Sequence, residues 1–268
     1  MNGLTLSLKQ FNKELEKLIA DKISGSADIL FSLNNLFEKN FDRIDDFIPV
    51  INNLKKEFRT FQNIRHYLIN VKALAEKGTL TKQFFKSYLS SAEDTQHEIF
   101  EHAFPFLKGK KKILTLSNSG TVFEFLKLMK KSKKNISVVV CESRPKLEGR
   151  ILAKKLTDKN IKVTIITEAM LAQYIPKCDC ALIGADAVLK NKSVVNKIGS
   201  LQTAILCRYF KKPFYVAADK SKFTSVSNAN QRVHDDKEIW GKMPQGIKTE
   251  NFYFEVVPKE LITKIFTD

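Results

Sequence analysis

From Lys112 onward, short apolar runs alternate with segments of helical period, and few folds accept that alternation. Lys112–Thr115 reads as a strand, Thr121–Lys130 as a helix and Ile136–Cys141 as a buried strand. Leu147–Leu156 then reads as a helix, Ile161–Ile166 as a strand, Ala169–Tyr174 as a short helix and Ala181–Ile183 as a strand. A helix from about Ser200 leads to a strand over Pro213–Ala218. Strands separated by helices of this length form βαβ units and a parallel sheet. Between the last two strands, Lys190-Asn191-Lys192 reads as a hairpin turn with Val194-Val195 as its return. Residues 224–248 read as a long polar loop, Phe252–Val257 as a late strand, and Pro258 as the start of a helix.

The first hundred residues have a different period. Leu15, Leu18 and Ile19 form a helical stripe, Ser24-Gly25-Ser26 interrupts it, and Ser26 reads as the cap of the next helix. Asp45 or Asp46 starts a helix through Ile51, Leu54 and Phe58, and Gly78 stops the following one. Thr81–Phe104 reads as a longer helix that Pro105 ends. The expected organisation is α/β: a helical N-terminal domain over 1–105, then a parallel-sheet domain over 110–268.

The 268 residues are 43% hydrophobic, enough for a sizeable core. No apolar run approaches the ~20 residues that span a bilayer, and the amphipathic start lacks a signal-peptide core, so a cytoplasmic protein is expected. Cys141, Cys178, Cys180 and Cys207 form no CxxC pair and His is scarce, which argues against a metal site; no cofactor motif is present. Cys141, Cys180 and Cys207 read as core thiols, Cys178 as an exposed thiol in a turn. The net charge of +16 suggests an anionic partner. The lysines are spread along the chain without aromatic interleaving, so sequence-specific nucleic-acid binding is not expected.

Four loops that follow strands carry polar groups, and in a parallel sheet such loops share one edge. Ser117-Asn118-Ser119-Gly120 can form an anion nest or a plain N-cap. Glu142-Ser143-Arg144-Pro145 with Glu148 and Arg150 can bind a phosphate through Arg144, or form a salt-bridged turn. Asp186 stands at a strand end. Asn196, Lys197 and Gly199 open a helix whose N-terminus can cradle a phosphate, or they simply cap it. Lys220 and Lys222 add charge nearby. Together the loops suggest a small phosphorylated ligand.

The runs ESRPKLEGRILAKKL (Glu142–Leu156) and IGADAVLKNKSVVNKIGSLQTA (Ile183–Ala204) resemble the translation initiation factor 2B alpha/beta/delta family. PFYVAADKSKF and FEVVPKELITKIFT are similar to the same family's tail. That family includes methylthioribose-1-phosphate isomerase and ribose-1,5-bisphosphate isomerase. The resemblance implies a helical N-terminal domain, a Rossmann-like C-terminal domain, and a homodimer or larger oligomer formed through the latter. It implies Asp186 as acid or base, substrate contacts from Asn196 and Lys197, and Glu148 in the position of a ligand-binding Gln. Ser117 stands where the isomerases carry a catalytic Cys. Ser24-Gly25-Ser26 stands where they carry an Arg-Gly-Ala phosphate turn, which places Gly25 and Ser26 at the ligand and removes the Arg. Arg59 is similar in placement to another phosphate-binding Arg of the family.

A serine hydroxyl is a far weaker base than a thiol, and no His or Lys lies in the 117–120 loop to activate it. The expected function is therefore an initiation factor 2B subunit-like protein, regulatory and non-catalytic, that binds a sugar phosphate or nucleotide and has translation initiation factor 2 as a candidate partner. The alternative is an aldose–ketose isomerase acting on ribose 1,5-bisphosphate or methylthioribose 1-phosphate. A third reading, RNA association by charge alone, would show steep salt dependence.

Overall fold

The computed structural model describes residues 8–21, 24–46, 48–132, 135–228 and 232–268. Helices α1 (Leu8–Ala20), α2 (Ser26–Lys39), α3 (Ile48–Glu57) and α4 (Gln62–Glu76) precede the long α5 (Lys82–Leu107). Their apolar faces meet in one core built on Phe11, Leu33, Phe37, Ile51, Leu68 and Phe85. Asn34 sits inside this core with both side-chain polar atoms paired: it donates to the Phe85 carbonyl at 3.0 Å and accepts from the Tyr67 hydroxyl at 3.0 Å. Gly78 ends α4 at φ 64°, a conformation that costs glycine little, and Thr81 caps α5 by accepting from the Phe84 amide.

The sheet strands are β1 (Lys112–Leu116), β2 (Ser137–Cys141), β3 (Lys162–Ile166) and β4 (Cys180–Ile183). The short ribbon β5 (Ala187–Val188) and β6 (Val194–Lys197) follows, then β7 (Phe214–Ala217), β8 (Phe254–Val257) and β9 (Lys264–Phe266). The intervening helices are α6 (Gly120–Ser132), α7 (Glu148–Thr157), α8 (Leu171–Tyr174) and α9 (Ser200–Tyr209). Among the described residues, six strands form a parallel sheet in the order β3-β2-β1-β4-β7-β9. Successive side chains take opposite faces. Ile113, Val138, Val140 and Leu182 therefore pack on one side, against α5, α6 and α7. Leu114, Val139, Ile183 and Val216 pack on the other side, toward α9.

The expected mixed α/β fold, helical first and parallel-sheeted after, is the one observed. Several details differ. Pro105 does not end α5, which continues to Leu107. Proline removes one hydrogen bond near the helix end, while Ala103 and Leu107 stay buried in the sheet core. No α-helix follows Pro258; one 3-10 turn leads into β9. Phe254–Val257 joins β5 and β6 in a small antiparallel sheet rather than the large one. Cys178 is buried at 2% exposure, since its turn tucks under Ile175 and α9, and burial pushes its thiol up to about 11. Ser26 is the first residue of α2 rather than its cap; Gly25 holds the cap position.

Candidate functional site

The strand order reverses between β1 and β4, and in open parallel sheets a crevice opens beyond the strand ends at that point. A cavity of about 110 Å³ lies there. Ser117, Asn118 and Ser119 reach it from the end of β1, and Ala185 and Asp186 from the end of β4. Asn196 and Lys197 enter from β6, Glu148 from the start of α7, and Gly25 and Ser26 from the start of α2.

The β1 loop is locked from below. Ser117 adopts φ 64°, a left-handed conformation that is costly for a residue with a Cβ. Its amide donates to Ser143 Oγ at 2.7 Å, and that hydroxyl donates to the Cys141 carbonyl at 3.1 Å. Gly25 closes against the same loop: a Cβ there would stand 2.5 Å from the Asn118 carbonyl oxygen. The N-termini of α2 and α6 therefore converge on the cavity, each adding partial positive charge.

Four charged side chains form the floor. Lys197, 2% exposed, lies 2.6 Å from Glu148 Oε1. Lys222, 4% exposed, donates to Ser26 Oγ at 2.5 Å. Burial raises the Glu148 carboxyl, and Lys197 only partly offsets that. Asp186 opens only partly to the cleft, and burial in the surrounding protein lifts its carboxyl to about 6 although Lys222 and Lys197 pull the other way. Two buried acceptors, Asn118 Oδ1 and Glu148 Oε2, have no hydrogen-bond partner. Unsatisfied buried acceptors are uncommon, and here both belong to residues that line the cavity.

Asp186 makes stability pH-dependent with a definite sign. Burial pushes its folded carboxyl up to about 6 from an ordinary 3.8, so the native state holds the extra proton between those values. Its contribution is therefore favourable at low pH and is lost as pH rises from about 4 through about 6. Urea denaturation between pH 4 and 7 should show Asp186→Asn gaining on the native chain as pH rises; parallel profiles would refute the assignment.

Some expected residues stand elsewhere. Arg144 is exposed and does not line the cavity; its guanidinium donates to the Ile239 carbonyl at 3.3 Å. Glu142 pairs with Arg150 at 2.8 Å, so this turn is of the salt-bridged kind. Asn196 and Lys197 end a strand rather than open a helix. The N-terminus of α9 is no phosphate cradle, because Glu255 already accepts from the Leu201 amide at 2.9 Å and from the Gly199 and Ser200 backbone. Lys222, Tyr253 and His234 line the cavity without having been assigned to it from sequence. The sequence marks Lys222 only as nearby charge. The His234 ring stacks on Tyr253 at 3.5 Å, and Lys197 Nζ lies 4.8 Å from the Tyr253 ring centre. A rare His within a polar loop was the one available signal.

Residues 11–268 match the Initiation factor 2 subunit family, IF-2B. A translation initiation factor eIF-2B subunit 2-like protein of Pyrococcus furiosus is 34% identical over 68% of this chain, and the match spans 65% of that relative's length. A methylthioribose-1-phosphate isomerase of Bacillus mycoides is 30% identical over 87% of this chain and 72% of its own. The crystal structure of translation initiation factor eIF-2B from Pyrococcus horikoshii OT3 superposes with a TM-score of 0.79 at 21% identity, covering 97% of this chain and 95% of that one. Among the described residues no helix is long and apolar enough to cross a membrane. The parallel sheet, the cleft at its switch point and a match reaching from the first helix to the last residue agree: the chain belongs to the initiation factor 2 subunit family.

Proposed function

We propose that the cleft binds a phosphorylated sugar or nucleotide and that the chain acts as a regulatory subunit of the initiation factor 2B type, without converting its ligand. The observation that carries this reading is the pair of orphaned acceptors, Asn118 Oδ1 and Glu148 Oε2, beside the buried Lys197 and Lys222. Ligand hydroxyls would donate to the two acceptors. A phosphate would sit where the α2 and α6 N-termini meet Lys222. Ser117 lines this cleft, the resemblance implies that it stands where the isomerases carry a thiol, and no cysteine lines the cleft among the described residues. Cys141, just behind the loop, is buried and its thiol is pushed well above the usual range.

A second reading, an aldose–ketose isomerase, is favoured by one feature: burial lifts the Asp186 carboxyl to about 6, in the range useful for moving a proton at neutral pH. One experiment separates the two. Ribose 1,5-bisphosphate and methylthioribose 1-phosphate should raise the melting temperature, as any ligand of the folded state must, while turnover stays far below about 1 per second. Turnover of roughly 1–1000 per second, abolished by Asp186→Asn, would establish the isomerase and end the regulatory reading. Association through the sheet region, with translation initiation factor 2 as a partner, belongs to the same proposal. Light scattering should show at least a dimer at micromolar concentration, and a clean monomer would count against it.

A further inference from the structure

The strand ribbon that forms one wall of the cleft has a second face. Asp186 and Asn196 look into the cleft, whereas Ala187 and Val195, each one residue away, line a separate cavity of about 850 Å³. Leu189 and Val226 add to this apolar lining. The opposite wall is cationic: Lys55 and Lys56 on α3, Arg59 after it, and Arg65 in α4 all line the cavity. No acidic side chain lines it among the described residues, and none of the four cations forms an ion pair there. The cleft, by contrast, sets Asp21, Glu57, Glu148 and Asp186 against its cations.

Helix chemistry accounts for only part of this clustering. Lys55 and Lys56 end α3, where cations suit the helix dipole. Arg65 lies just inside the N-terminus of α4, where the dipole disfavours a cation, and α4 has no side-chain cap and no acid in its first turn. Arg59 lies outside both helices. Four like charges around one concavity repel within a Debye length of about 8–10 Å, and among the described residues no acidic side chain lines the cavity to offset them. A concave site with an apolar base and a few directed polar groups is the usual form of a small-molecule pocket. Among the described residues no aromatic ring lines it, which argues against single-stranded nucleic acid, whose bases stack.

We infer that this cavity is a second anion site, separate from the cleft, for a small organic molecule with a dianionic phosphate-type head on an apolar stem. The head would be held between Lys56 and Arg65, and the stem would lie on Leu189 and Val195. The site touches the cleft through one shared wall: Thr60 lines both, and the Gln62 amide donates to the Asp186 carbonyl at 3.3 Å.

Calorimetric titration with phenyl phosphate and with inorganic phosphate tests this. Phenyl phosphate should bind about tenfold more tightly than inorganic phosphate, because its ring removes apolar surface from water. Lys56→Glu combined with Arg65→Glu should lower that affinity at least about tenfold. The neutral pair Lys56→Gln and Arg65→Gln should lower it less, and serves if the reversed pair does not fold. Lys108→Glu with Lys159→Glu changes net charge equally on exposed residues outside the cavity, and should leave affinity unchanged. Equal affinity for the two probes, binding unaltered by either cavity pair, or an equal loss in the Lys108/Lys159 control would each overturn the proposal.

Discussion

Lys197→Ala is expected to destabilise the protein by about 3–5 kcal/mol, the usual cost of removing one partner from a buried ion pair. Both side chains are nearly inaccessible, and Glu148 already has one oxygen without a partner. Deleting the ammonium would leave a buried carboxylate with nothing to offset its lost hydration. The neutral pair Lys197→Met with Glu148→Gln should recover most of the loss, because it removes both charges together. The deficit of Lys197→Ala should also shrink toward pH 5. Burial already raises the Glu148 carboxyl, and without the lysine it would rise further and take up a proton more readily. Urea denaturation of the single and double variants at pH 5 and 7.5 checks all three statements. A loss below about 1 kcal/mol for Lys197→Ala would mean that the pair behaves as a solvent-screened surface contact.

Gly149→Ala is expected to cost about 3 kcal/mol or more, by forcing a side chain into a packed space. A Cβ at Gly149 would lie 2.9 Å from the Cys141 carbonyl carbon and 3.1 Å from the Glu142 carbonyl carbon, with the Cys141 carbonyl oxygen closer still. These are backbone atoms at the end of β2 and cannot rotate away. Helix α7 must retreat from the strand, breaking the bond from the Gly149 amide to the Glu142 carbonyl, which is 3.2 Å long. Glu148 would move with it, so ligand affinity in the cleft should fall together with the melting temperature. Gly109→Ala serves as the control. A Cβ there meets nothing within 4 Å, and the change should stay within about 0.5 kcal/mol.

The chain order of strands and helices was legible because each sheet strand is a short apolar run and each helix has its own stripe. What escaped was set by tertiary contacts. Nothing local distinguishes a Pro105 that ends a helix from one carried through its last turn; the difference is the burial of Ala103 and Leu107 beyond sequence reach. The α9 N-terminus looked open because its anion, Glu255, arrives from 54 residues away. Loop chemistry after β1 and β4 pointed toward the cleft, since parallel geometry brings strand ends together. Lys222 and Ser26 lie 196 residues apart, and no spacing rule pairs them. Arg144 had the right chemistry on the right loop, but side-chain direction is not written in the sequence.

Helix α5 runs for 26 residues, about 39 Å at the usual rise. Phe85 near its start is part of the helical core, while Ile99, Phe100, Ala103 and Leu107 toward its end are part of the sheet core. The chain is thus spliced mechanically. A cut after Pro105 would remove Ile99, Phe100 and Ala103 from beneath the sheet, so either fragment alone would expose apolar surface meant for the other. Unfolding should accordingly be one cooperative transition rather than two, with amides of mid-α5 exchanging only when the whole molecule opens.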